Sequence, residues 1–286
     1  MVREAFHQIR MLRGHTRPHL FLCSDNTPYV IKLGSSKQPD RQLASEYIAS
    51  QLSRWVGLPT PDCALINVPK FLMENTPQLI AATAEVQYRF GLQFGSRLIG
   101  WDERGPLFDY LPESRLSRIT NLTDFAGAFA FDIWSSNQGR RQAVFHRKRN
   151  QDAYSAYFID YGACFSGAQW SFSERRGNRH YHPIVYREVT GWESFDPFLT
   201  RLVSIQPSVL EEVAAAVPAQ WYDGNRGSLD YLLERLLTRR SQLHKMIAEA
   251  RKRDSDLFPS WQARVFVSQT HQMSVSQALI RREPAT

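Results

Sequence analysis

A lysine stands inside an apolar strand pattern near the start of this chain. Lys32 sits in Tyr29-Val30-Ile31-Lys32-Leu33, a run otherwise made of β-branched and aromatic residues. Burying an ammonium without a partner is costly, so a fold that uses this strand must bring a carboxylate to it. Glu46 is the nearest candidate. It lies in the segment 41–56, where Leu43, Tyr47, Ile48 and Leu52 fall on one helical stripe. Strand and helix together predict a Lys32–Glu46 contact. An edge-strand lysine facing solvent is the competing reading of this feature alone.

A second constraint comes later. Ala156-Tyr157-Phe158-Ile159 is an apolar strand that runs into Asp160-Tyr161-Gly162. Ahead of it, residues 123–135 read as a helix with Phe125, Phe129, Ile133 and Trp134 as the buried stripe and Thr123 or Asn121 as the cap. Asp132 lies among those aromatics, where a structural role outweighs a role as base. A polar loop, 137–142, a short strand, 143–145, and a basic turn separate helix from strand. Helix, loop with Asn137, strand, charged turn, strand and Asp-x-Gly is the order of a kinase catalytic and metal loop. Phosphoryl transfer needs Mg²⁺ held by hard oxygen ligands, and Asp160 at the mouth of a strand offers one. Taken alone, the tripeptide is equally a strand-ending turn.

The remaining elements fit around these two. Residues 7–33 read as a hairpin and a third strand, with turns at 13–18 and 25–28. Gly14 with Thr16 lets backbone N–H groups approach phosphates, although a plain hairpin turn is the simpler reading. Gly57 and Leu58-Pro59-Thr60-Pro61 stop the Glu46 helix. Strands follow at 62–68 and 92–97, with a short helix after Thr76-Pro77 between them. Phe94 and Gly95 are candidates for a lobe-connecting segment whose backbone pairs with an adenine. Residues 170–182 read as a long basic and aromatic loop. Helices are expected over 196–203, 208–216 and 228–253, with Trp192, Phe195, Trp221 and Tyr222 as core. The expected fold class is α+β: a two-lobed protein-kinase-like fold with a β-rich N-lobe (1–97), a mainly helical C-lobe (98–261) and a polar tail (262–286).

Composition limits the alternatives. A chain of 286 residues, 43% hydrophobic and 22% charged, is ordinary for a soluble globular protein and long enough for two lobes. No apolar run nears the roughly 18 residues that a membrane span needs, and the polar N-terminus is not a secretory signal. Cys23, Cys63 and Cys164 are odd in number and widely spaced, which suggests neither a disulfide framework nor a zinc site. A reducing cytoplasm is the expected compartment. The net charge is +7, and only six of the 35 basic residues are lysine. Arginine suits recognition of phosphate or carboxylate, though GC-rich coding also enriches it. The basic clusters, Arg140-Arg141 among them, do not share one helical stripe and read by default as solvated faces, so nucleic acid is an open but unfavoured partner.

In their order, these residues resemble the HipA-like kinase domains, bacterial relatives of Ser/Thr and lipid kinases. The resemblance rests on Gly14-His15-Thr16-Arg17-Pro18-His19-Leu20, Tyr29-Val30-Ile31-Lys32, Ser45-Glu46 and Gly57-Leu58-Pro59. It continues through Phe94-Gly95-Ser96-Arg97, Asp109-Tyr110-Leu111-Pro112, Asn121-Leu122-Thr123-Asp124-Phe125, Phe131-Asp132-Ile133-Trp134, Asn137, Arg141-Gln142-Ala143-Val144-Phe145 and Phe158-Ile159-Asp160-Tyr161-Gly162. It implies ATP, Mg²⁺ and transfer of the γ-phosphoryl to a protein hydroxyl. On that resemblance Lys32 contacts the phosphates, Glu46 orients it, Asp160 binds Mg²⁺ and Asn137 opens the catalytic loop. Two positions depart from the pattern. Gly139 stands where the family has its catalytic Asp, and Val144 where a second metal-binding Asn belongs. Asn137 and Gln142 flank the gap and offer replacement oxygens. Three readings stay open: a phosphotransferase with a degenerate loop, a weak or inactive pseudokinase regulating a protein partner, and nucleotidyl transfer on the same scaffold.

Overall fold

The computed structural model describes residues 2–14, 17–35, 40–83, 87–103, 105–173 and 180–261. Strands β1 (Arg3–Met11), β2 (His19–Cys23) and β3 (Pro28–Lys32) form the expected antiparallel meander. The chain crosses through α1 (Arg41–Val56) to β4 (Cys63–Val68), makes two short helices, α2 (Lys70–Asn75) and α3 (Pro77–Thr83), and returns as β5 (Gly91–Arg97). β5 inserts between β3 and β4, and β4 meets β1 in parallel, so the barrel closes in the order β1-β2-β3-β5-β4. Side chains alternate across a strand. Tyr29 and Ile31 therefore enter the barrel core with Phe21, Ile66 and Val68, and Lys32 is left on the other face of β3. The pattern of 70–75 gave no helix signal, yet Met73 and, from α3, Leu79 are buried in the barrel core.

The expectation that Phe94 and Gly95 connect the lobes is corrected. Phe94 lies opposite Lys32 on one side and Leu65 on the other, and Gly95 opposite Ile31 and Ala64. Both edges of β5 are taken there, so its backbone has no free groups for an adenine. Gly95 is small because a Cβ would sit 2.4 Å from Ile66 Cγ1. The chain leaves the barrel only after Arg97.

Beyond the barrel come β6 (Leu107–Phe108), α4 (Glu113–Leu116), α5 (Asp124–Trp134), β7 (Gln142–His146) and β8 (Ser155–Ile159). The three strands form one antiparallel sheet in the order β6-β7-β8. Helices α6 (Phe198–Ser204), α7 (Pro207–Ala215) and α8 (Arg226–Arg253) complete the described chain. Phe195, Trp221 and Tyr222 are core as expected, whereas Trp192 keeps 38% of its surface exposed. In the segment 170–182, residues 170–173 and 180–182 form no helix or strand, as expected, although Trp170 and Phe172 are buried. Thr16, residues 174–179 and the 262–286 tail lie outside the described residues. Among the described residues no helix is long and apolar enough to cross a membrane.

α1 holds the two halves together. Leu43, Ile48, Leu52 and Val56 join one large core with α5, α6 and α8, and Ser45, Glu46 and Ser53 are buried as well. Gly57 ends the helix with φ +96°, its N–H donating to Arg54 O at 2.9 Å while Leu58 N–H reaches Ser53 O at 3.0 Å. The start of α5 differs from expectation: no side chain caps it. Asn121 instead donates to the Asp124 carboxylate at 2.8 Å and exchanges two hydrogen bonds with the Ala156 backbone, which ties the helix to β8.

α5 packs against α6 at Gly127, where a Cβ would fall 2.2 Å from the Phe198 ring. Propensity alone would make Gly127→Ala stabilising by about 1 kcal/mol. Overpacking costs about 1–3 kcal/mol, so the variant is expected to lower the thermal midpoint. A raised midpoint in a thermal melt would contradict the close helix contact.

Candidate active site

β3, α1 and the turn after β8 bring three charges together. Lys32 Nζ donates to Glu46 Oε1, and to Asp160 Oδ1 at 2.6 Å. Glu46 is 1% exposed and also accepts the backbone N–H groups of Tyr161 at 3.0 Å and Gly162 at 2.7 Å. The turn is shaped for this. Asp160 adopts φ +64°, and a Cβ on Gly162 would meet Glu46 Oε1 at 2.8 Å. The sequence expectation of a Lys32–Glu46 contact is met, and Asp160 completes it.

The electrostatics follow from burial and proximity. Burial alone would lower the Lys32 pKa, but the Glu46 and Asp160 carboxylates outweigh it and hold the ammonium above its ordinary value. Burial pushes the Asp160 carboxyl upward, and attraction to Lys32 with its hydrogen bond overrides this and leaves it below the usual range. Burial and the nearby Asp160 charge push the Glu46 carboxyl upward against the pull of Lys32. Asp160 is the outward member of the cluster, with 35% of its side chain exposed. Its Oδ2 accepts from Gln142 Nε2 at the start of β7.

The loop between α5 and β7 is framed by a second buried ion pair. Arg141 donates to both Asp132 oxygens, at 3.1 Å from Nε and 2.5 Å from an Nη. Both side chains are 1% exposed. Arg141 also donates to Ile159 O at 2.9 Å, and its guanidinium lies 4.4 Å from the Tyr161 ring centre. Burial opposes the Arg141 charge, and Asp132 overrides this and raises its pKa. Tyr161 in turn hydrogen-bonds with Ser53 at 2.7 Å and Thr60 at 2.8 Å. This frame was not anticipated: Arg141 reads as one of a pair of surface arginines, and its partner is a helix away. Its one sequence signal is Asp132, a lone carboxylate among aromatics that demands a cation.

Asn137 is drawn into the same frame. It is fully buried, its Nδ2 donating to Asp132 Oδ1 at 2.8 Å and its Oδ1 accepting Gly139 N–H at 2.9 Å. Its oxygen is thus occupied inside the loop and not turned toward Asp160. Gly14 lies in the β1–β2 turn and accepts Arg17 N–H through its carbonyl at 3.1 Å. Of the expected site residues, Lys32, Glu46, Asp160 and Gln142 come together. Asn137, Phe94 and Gly95 are committed to internal contacts. Among the described residues no three His, Cys, Asp or Glu side chains form a metal-binding cluster; beside the Asp160 carboxylate stands the Gln142 amide. That donor set fits a hard cation that takes its other ligands from phosphates and water.

Residues 7–249 match the family described as HipA-like kinase. No curated protein matches the chain. Among solved structures, the Helicobacter pylori proinflammatory kinase CtkA aligns over 85% of this chain and 97% of its own, at 14% identity and a TM-score of 0.53. That likeness is one of fold. The Golgi casein kinase aligns in two structures over 74% of its chain. With Mn/ADP bound it covers 88% of this chain, at 12% identity and a TM-score of 0.46. The other covers 87%, at 15% identity and a TM-score of 0.48.

The buried pair makes a testable claim about the loop. Asp132→Ala leaves the Arg141 guanidinium without its counter-charge and is expected to cost about 3–5 kcal/mol. Adding Arg141→Met should recover most of that loss in urea unfolding. A double variant no more stable than the single one would show that the pair is not the source of the effect.

Proposed function

The chain belongs to the HipA-like kinase family, and we propose that it is an ATP-dependent phosphotransferase acting on a serine or threonine hydroxyl of a protein, with a reduced catalytic loop. The observation that carries this reading is the Lys32–Glu46–Asp160 cluster at the junction of barrel and helical lobe. In this proposal residues 1–97 form the N-lobe and 98–261 the C-lobe, with the nucleotide between them.

Lys32 binds the phosphates as a point charge, and Glu46 fixes its direction. Asp160, with the Gln142 amide turned to present its oxygen, would hold Mg²⁺, and the bound ion would neutralise charge on the transferred phosphoryl. Asp132 is no candidate for the base, because both its oxygens accept from Arg141 and it is sealed from the cleft. Gly139 leaves the acceptor hydroxyl without a carboxylate base. General-base help is typically worth about 10²–10⁴-fold, and a loose transition state lets the hydroxyl proton leave late. Slow transfer is therefore the expected behaviour. The second reading, a nucleotide-binding pseudokinase that acts on a partner through its conformation, draws support from Gly139, Val144 and the inward turn of Asn137.

Calorimetric titration with ATP, with and without Mg²⁺, tests the proposal when γ-labelled phosphate is followed in the same samples. Binding is expected to need Mg²⁺ and to vanish in Lys32→Ala and in Asp160→Ala. Undiminished binding in both variants would sink the site assignment. Gly139→Asp is expected to raise transfer at least tenfold. Its Cβ would lie 3.0 Å from Ala163 Cβ and 3.3 Å from Asn137 Oδ1, so neighbours must yield only slightly. Metal-dependent binding with no transfer in either protein would favour the pseudokinase.

A further inference from the structure

α8 sets two arginines, one turn apart, against a single aromatic ring. The guanidinium carbons of Arg235 and Arg239 lie 6.0 and 5.7 Å from the centre of the Phe172 ring, which is buried. Arg239 has a structural task. It donates to Trp134 O at 2.6 Å and to Ile133 O at 2.5 Å, carbonyls at the end of α5, where a cation is favourable. Arg235 has no such task. Its Nε is buried without a hydrogen-bond partner, and among the described residues no carboxylate pairs with either arginine. Burial, with the neighbouring Arg235 charge added, brings Arg239 down to about 10. An uncompensated guanidinium held against a protein core is costly unless an anion reaches it.

The position of the pair narrows the choice of anion. Phe172 precedes Ser173, whose carbonyl accepts from Ser136 Oγ at 2.8 Å and from Gln138 Nε2 at 3.0 Å. Gln138 N–H donates to Ala163 O at 2.9 Å, three residues past Asp160. The arginines therefore flank the loop 135–141, which the proposed function makes catalytic. The rest of α8 carries charges of mixed sign. Asp230 pairs with Arg226, Glu249 with Lys245, and Glu234 adjoins Arg235. Such a face suits a single oxyanion better than a continuous phosphate backbone.

We propose that Arg235, backed by Arg239 and Phe172, is an anion subsite for the acceptor: it takes one carboxylate or phosphate group carried by a peptide segment near the hydroxyl to be modified. The planar guanidinium fork matches either oxyanion in bidentate fashion. The word acceptor rests on the kinase reading; the binding of the anion does not.

The test uses the full chain at low salt, without nucleotide, and three serine peptides of equal length. One is flanked by glutamates, one by phosphoserine and one by glutamines. At least one charged peptide is expected to bind tenfold or more tighter than the glutamine peptide, and the tighter of the two identifies carboxylate or phosphate as the group read. Arg235→Gln should abolish the preference with little change in the thermal midpoint, because Arg235 gives up its contact with the Phe172 ring but no hydrogen bond or ion pair. Lys32→Ala should keep the preference, which separates this subsite from the nucleotide site. Equal affinity for all three peptides, or a preference that survives Arg235→Gln, overturns the proposal. So does a single-stranded oligonucleotide that binds tighter than both peptides and is lost in Arg235→Gln. An intact preference with no ATP binding would sink the kinase reading and leave the subsite standing.

Discussion

Glu46 is the point on which the rest of the structure depends. It is a carboxylate removed from water, and it survives there because three donors converge on it: the Lys32 ammonium and the backbone N–H groups of Tyr161 and Gly162. A buried charge is tolerable when its remaining lone pairs are satisfied. The donors come from β3 and from the turn after β8, 128 positions apart at Lys32 and Asp160, while Glu46 itself rides on α1. One side chain thus fixes the register of barrel, helix and turn. Apolar packing around α1 brings these parts close without selecting one arrangement, since Leu43, Ile48 and Leu52 would tolerate small slides. The donor geometry at Glu46 would not.

The loop between α5 and β7 shows the same logic with a different outcome. Asp132 and Arg141 hold it from inside, and Asn137 closes it by bridging Asp132 and Gly139 N–H. The loop therefore keeps a defined shape while presenting fewer oxygens to the cleft than its order in the chain suggests. Frame and chemistry are separable here. Neither Gly139 nor Val144 contributes a side-chain hydrogen bond to what holds the loop, so its shape does not depend on the residue types at 139 and 144.

How much of this was legible depended on which physical demand left a mark in the sequence. α1, β3, β8 and α5 were readable from their apolar residues, although α5 buries every residue from Phe125 to Trp134 and not one stripe alone. The Lys32–Glu46 contact was readable because a charge inside an apolar run requires a partner. Arg141 was not, because an arginine beside Arg140 looks like a solvated pair and only the fold reveals which of the two turns inward. α2 left no mark, since six residues are too few to show a helical period and only Met73 and Leu72 pack on the barrel core. Phe94 and Gly95 misled for a clear reason. A small residue near a strand end signals a linker as readily as close packing, and Ile66, 2.4 Å from the missing Cβ, lies on a strand about thirty residues earlier in the chain.

The position of Gln142 follows from strand geometry. Residues two apart on a strand share a face, so Gln142 and Val144 lie on the same side of β7, and of the two only Gln142 carries an amide. Gln142 already reaches Asp160 Oδ2 with its NH₂ group. An amide presents a donor or an acceptor by turning over. One side chain can therefore satisfy the carboxylate when it stands alone and, in the proposed function, offer its oxygen beside that carboxylate when a cation arrives. With one carboxylate and one amide, such a site carries too little charge to hold a cation tightly by itself. Its affinity would come mainly from the phosphates of the nucleotide, so metal and nucleotide should bind as a unit.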